Sequence, residues 1–146
     1  MMHSDKGHYA AKHPPDQRPD ERIAAPVLLK VKEGQLSCAD AERISVELGT
    51  TMAEIGRTLD LSEVRISRCQ LGLFGYEQTK RGKSVRPEEA FAQELGKAIR
   101  DRLSGGRLSC AEAWKIAAEM NVPRLNVSSA CEALKIRIKP CQLGAF

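Results

Sequence analysis

Apolar residues recur at helical spacing along most of the chain and at alternate positions in two short stretches. Ala41, Ile44 and Leu48 fall on one helical face, as do Ala113, Ile116 and Met120. A serine stands just ahead of each stretch (Ser37, Ser109), with an acid three residues on (Asp40, Glu112). That pattern starts helices, because the hydroxyl takes up a backbone amide that the first turn leaves free. Gly49 and Asn121 follow where a left-handed residue closes a helix. A further helix is predicted over about 51–60, and again over about 123–133. Upstream, Pro19-Asp20-Glu21 and Pro87-Glu88-Glu89 carry proline and acids at a helix start. The helix after Pro87 is expected to reach about Leu103, with Phe91, Leu95, Ala98, Ile99 and Leu103 on one face. The one after Pro19 is expected to be shorter or kinked, since Pro26 lacks an amide hydrogen. Gly34 and Gly105-Gly106 end these helices. Val64 and Ile66, and Leu134, Ile136 and Ile138, alternate with polar residues and predict half-buried strands.

The elements come twice. Leu36-Ser37-Cys38-Ala39 recurs as Leu108-Ser109-Cys110-Ala111, and Cys69-Gln70-Leu71-Gly72 with Phe74 recurs as Cys141-Gln142-Leu143-Gly144 with Phe146. Both matches lie at an offset of 72 residues, and residues 34–74 align with 106–146 without a gap at 15 identities in 41 positions. A single register kept across separate motifs points to a tandem duplication. The expected organisation is a disordered tail at 1–17, a first unit at 18–76, a basic linker at 77–86 and a second unit at 87–146.

Composition and charge refine this picture. With 3 Phe, 2 Tyr and 1 Trp in 146 residues, the core must be mostly aliphatic. A unit of this size alone buries a small fraction of its surface, so two units sharing a core are expected. The net charge of +4 is uneven: the first unit carries −1, the linker +3 and the second unit +2. An anionic partner is therefore expected to meet the linker and the second unit. No apolar run approaches a membrane span, and no membrane association is expected. Five cysteines without a recognisable signal peptide suggest reduced thiols and a cytoplasmic location.

Helix, tight turn and second helix form the grammar of the helix-turn-helix. A small residue, Ser45 or Ala117, lies four positions before the turn, and an apolar one, Ile55 or Val127, lies six after it. Ile44 with Leu48, and Ile116 with Met120, fill the angle between the helices. Over about 36–66 and 108–138 the chain resembles the helix-turn-helix and winged-helix DNA-binding family. The resemblance implies a mainly α fold of tandem duplicated three-helix units, each followed by a short β-strand and related by pseudo-twofold symmetry. It would set Thr51, Met52, Gly56, Arg57 and Asp60 toward the major groove, and Pro123, Arg124, Ser128, Ser129 and Glu132 in the second copy. Arg57, Arg124 and Asn126 are the candidate base readers, with Ser128 and Ser129 near phosphates. One chain could then imitate a repressor dimer, its two heads about 34 Å apart.

Further candidate phosphate ligands lie outside those helices. Arg65 and Arg68, then Lys135, Arg137 and Lys139, are expected to project from a strand as a charged wing, and Lys80, Arg81, Lys83 and Arg86 to form a basic joint. The alternative is that such lysines only protect an exposed strand edge. Cys38 with Cys69, and Cys110 with Cys141, share a spacing of 31. They read as metal ligands, as reversible disulfides or as small buried residues; Cys131 matches Leu59 and reads as core. His3, His8 and His13, all in the tail, could bind a metal adventitiously. With no histidine in either unit and no phosphate-binding loop, neither catalysis nor a cofactor is expected. The expected function is a small DNA-binding transcriptional regulator, monomeric or homodimeric. The alternatives are a protein-interaction adaptor and a thiol redox or metal sensor.

Overall fold

The computed structural model describes residues 8–76, 79 and 82–146, which form six α-helices and four short strands in two compact units. The mainly helical expectation agrees with this. The first unit is made of residues up to Cys69 together with Gln142–Phe146, and the second of Gln70–Cys141.

In the first unit the order is α1 (Glu21–Lys30), β1 (Gln35–Ser37), α2 (Cys38–Leu48), α3 (Met52–Leu61) and β2 (Arg65–Ser67). Asp20 caps α1 by accepting from the Arg22 amide at 2.9 Å. The Ser37 hydroxyl accepts from the Asp40 amide and the Thr51 hydroxyl from the Glu54 amide, each at 3.1 Å, which fixes the starts of α2 and α3. Gly49 takes the left-handed conformation (φ 65°) that turns the chain from α2 into α3. Ser45 donates its hydroxyl to the Thr50 carbonyl at 2.7 Å and holds that turn. Strands β1 and β2 pair in parallel, Leu36 beside Ile66, with both side chains in the core.

The second unit contains α4 (Gln93–Asp101), β3 (Arg107–Leu108), α5 (Cys110–Met120), α6 (Arg124–Leu134) and β4 (Arg137–Ile138). Ser109 caps α5, and Asn121 supplies the left-handed turn (φ 54°) into α6. Strands β3 and β4 are again parallel, Leu108 beside Ile138 and Arg107 beside Arg137. Neither short ladder contains a hairpin. The expected wing is therefore corrected: each strand after the third helix is tied into a ladder by a strand that precedes the helix pair. Leu36 and Leu108, fully buried or nearly so, pull those preceding residues against the core.

Four further expectations change. Pro26 does not make α1 the shorter helix: α1 runs through it for 10 residues against 9 in α4. Only one intrahelical bond is missing there, at a half-buried position. Pro87-Glu88-Glu89 does not start α4; the Glu88 amide donates to the Ser129 carbonyl at 3.1 Å and Val85 is buried, so this stretch lies along α6 instead. Residues 8–13 are not a solvated tail. Tyr9 is buried within a 3-10 turn, Tyr9–Lys12, whose first two amides donate to the Glu63 carboxylate at 3.2 and 2.8 Å. His13 and Lys12 reach Asp60 at 2.9 and 3.2 Å. His3 lies outside the described residues. Finally, the position of each Cys-Gln-Leu-Gly turn at the end of a repeat predicts that it closes that repeat, and neither does. Leu143, almost fully buried, packs in the first unit and Leu71 in the second.

At Gly56, in the middle of α3, a methyl group would overlap the backbone carbonyl of Leu143. Glycine is required there by close approach rather than by backbone angle. Gly56→Ala is expected to destabilise the full chain by about 1–3 kcal/mol, read as a lower urea midpoint. In a chain lacking Gln142–Phe146 the same change should be neutral, or stabilising by up to about 1 kcal/mol, because alanine is the better helix former. Equal losses in both backgrounds would show that Leu143 does not fix residue 56.

Candidate nucleic-acid interface

The residues expected to read DNA from α3 and α6 are largely engaged or covered. Gly56 lies under Leu143, and Asp60 is buried beneath the segment bearing Lys12 and His13. Thr51 is exposed but spends its oxygen on the helix cap, and Arg57 pairs with Glu54 at 2.8 Å. Ser128 is completely buried, which removes it from the phosphate ligands; its hydroxyl has no partner among the described residues. Described residues on either side of the joint pack against α6: a Cβ at Gly72 would strike Leu125, Ser84 and Val85. Ser129 is half-buried and offers its carbonyl to Glu88. Arg124 lies 3.7 Å over the Trp114 ring and donates to the Gln70 side chain at 2.9 Å, so it is stacked and oriented rather than extended. Asn126 remains exposed.

A different surface keeps its charges uncommitted. Arg107 and Arg137 stand side by side across the β3–β4 ladder, both exposed, while Leu108 and Ile138 point inward. Lys139 continues the ladder, its amide donating to the Leu108 carbonyl at 2.8 Å, and its side chain is exposed like that of Arg137 two residues earlier. Lys135 precedes the strand as the left-handed C-cap of α6 (φ 58°) and is exposed. None of the four makes an ion pair or side-chain hydrogen bond with another described residue. Like charges held side by side on a sheet oppose folding, so the ladder gains most when an anion lies across it.

The first unit lacks this surface. At the same offset its residues are Gln35, Glu63, Arg65 and Ser67, with no net charge against +4. Glu63 is occupied by the 3-10 turn, and Arg65 is half-buried. Arg68 is exposed just beyond β2, in a left-handed conformation (φ 48°). In the joint, Lys83 pairs with Glu132 at 2.7 Å and Arg86 is exposed; Lys80 and Arg81 lie outside the described residues. The sequence pattern does not single out Arg107. Its signal is its place just before the repeated Leu-Ser-Cys-Ala, where the first unit has Gln35.

None of the five cysteines is joined in a disulfide. Cys38, Cys69 and Cys110 are buried and Cys141 is half-buried. Among the described residues no three His, Cys, Asp or Glu side chains come together as a metal site. No described helix is long and apolar enough to cross a membrane. No protein-family model, curated protein or solved structure matches this chain.

Burial pushes the Cys131 thiol up to about 12 from an ordinary 9.0, with the Glu132 carboxylate acting in the same direction. The folded state keeps this proton where the unfolded chain loses it, so the associated stability is complete below about pH 9 and drains away as the pH rises toward about 12. Cys131→Ala is expected to lower the melting temperature at pH 7 but to flatten its fall between pH 8 and pH 10.5, to about that of a chain without this group. Parallel curves for both proteins would exclude a thiol kept protonated by the fold.

Proposed function

We propose that this protein binds nucleic acid, with duplex DNA as its partner, through phosphate contacts made by the β3–β4 ladder of the second unit. The observation that carries the reading is the row of unpaired cations, Arg107, Arg137 and Lys139 with Lys135, on an ordered ladder. Phosphate contacts need such charges and little else. The covered faces of α3 and α6 favour a sequence-independent mode over base reading by those helices. In this reading each unit is a helix-turn-helix-like scaffold, the two arose by duplication, and only the second acquired the basic surface. Regulation of transcription would follow from DNA occupancy, and the proposal requires no catalytic step and no cofactor.

Anisotropy titrations of a labelled duplex between 50 and 200 mM salt test this. The wild type should weaken steeply with salt. Arg107→Gln with Arg137→Gln should lower affinity at least tenfold at 50 mM and reduce the salt slope by about 1–2, at about 0.9 for each lost phosphate contact. Absence of duplex binding at low salt would overturn the proposal.

A second reading rests on the first unit. Leu29, Val46 and Leu28 there are 85%, 75% and 53% exposed on α1 and α2. Their counterparts in the second unit are Asp101, Ala118 and Arg100. Exposed apolar side chains of this kind suit a protein partner. A stoichiometric partner recovered from nuclease-treated extract by the wild type, and lost with Leu29→Ser and Val46→Ser, would favour an adaptor.

A further inference from the structure

An open cavity of about 650 Å³ lies at the foot of the β3–β4 ladder. Three structural elements supply its cations: Arg102 from the end of α4, Arg107 from β3 and Lys139 from just beyond β4. Ser104 and Ser109 add hydroxyls, and Glu112 contributes the only carboxylate among the described lining residues. The cations differ in how far they are spent. Arg102 is held by Glu119 through two hydrogen bonds and by Glu112 at 3.5 Å, and Glu112 also meets Lys115 at 3.6 Å. Arg107 and Lys139 have no ion-pair partner among the described residues. Ser109 accepts from the Glu112 amide, which leaves its hydroxyl hydrogen to donate.

We propose that this cavity binds a phosphate monoester. Two uncompensated cations match the two charges of a monoester dianion, whereas a backbone diester, with one charge, leaves a cation unmatched. Arg107 can grip two oxygens at once, while Lys139 acts as a mobile point charge. The volume falls in the range of small-molecule sites, about 300–1,000 Å³, and leaves room for the group esterified to the phosphate. The corresponding positions of the first unit, Gln35 and Ser67, bring no charge, so the site belongs to the second unit alone. The site does not depend on duplex binding, although it shares Arg107 and Lys139 with the proposed nucleic-acid surface. The monoester has two possible sources: a free nucleotide or sugar phosphate, and the terminal phosphate of a nucleic-acid strand.

Calorimetric titration of the full chain with inorganic phosphate and with adenosine 5′-monophosphate, at constant ionic strength, tests the site. Saturable binding of about one equivalent is expected for each. Arg107→Gln and Lys139→Ser, which install the residues of the first unit, should each weaken it at least tenfold. Lys135→Ala lies outside the cavity lining, so it should leave phosphate affinity within twofold while weakening duplex binding. Absence of saturation would overturn the inference, and so would an equal loss with Lys135→Ala, which would mark diffuse attraction. Phosphate binding in a protein that ignores duplexes would sustain the cavity and sink the nucleic-acid reading. An oligonucleotide bound at least tenfold more tightly with a 5′-phosphate than with a 5′-hydroxyl, and more tightly than the mononucleotide, would identify the strand end as the source. Equal affinity for the mononucleotide and the phosphorylated oligonucleotide would identify a free phosphorylated ligand.

Discussion

The first unit depends on a place where α3 has no side chain. Gly56 lets the Leu143 backbone lie directly on the helix, and the returning C-terminal segment contributes a nearly buried leucine to a core that begins more than 100 residues earlier. An aliphatic core of this size gains stability mainly by removing apolar area from water. A unit built from residues up to Cys69 alone would leave α3 uncovered there. The second unit is completed in its own way by residues 70–76, with Leu71 fully buried and Gly72 against α6. The conspicuous Cys-Gln-Leu-Gly turns are thus packing segments. Gly72 and Gly144 both take positive φ, and Gly72 also lies close against Leu125 and Val85.

The same coverage leaves the second helix of each helix pair partly hidden: α3 by Leu143 and the segment bearing Lys12 and His13, and α6 by Gly72, Val85 and Glu88. A row of exposed positive charges lies on the ladder that the strand–helix–helix–strand connection creates in the second unit. There Arg107 and Arg137, 30 residues apart in sequence, become lateral neighbours. The units share an order of elements and differ in charge: the positions that carry four cations in one carry a balanced set in the other. The Glu63 carboxylate, at the position of Lys135, is used internally to hold the segment around Tyr9.

Much of the local structure was legible in the residues. The caps at Ser37 and Ser109 and the left-handed turns at Gly49 and Asn121 depend on groups within four or five residues of one another, and they stand where the pattern put them. The strands after α3 and α6 were legible from their alternation. Their partners were not, because two or three residues such as Arg107–Leu108 are too few to show a period. Tyr9 escaped notice because a lone aromatic among polar residues carries no periodicity, and Pro87 misled because the Ser129 carbonyl claimed a neighbouring amide.

The chain by itself therefore determined the helix pairs α2–α3 and α5–α6 with the turns inside them, the repeated sequence motifs and the concentration of positive charge in its second half. These follow from short-range hydrogen bonding and composition. Only the tertiary structure decided that Ser128 and Asp60 are buried, that Arg107 joins Arg137, and that the last five residues belong to the first unit. Those outcomes turn on which distant segments shield each other from water, and local propensity holds no record of that choice.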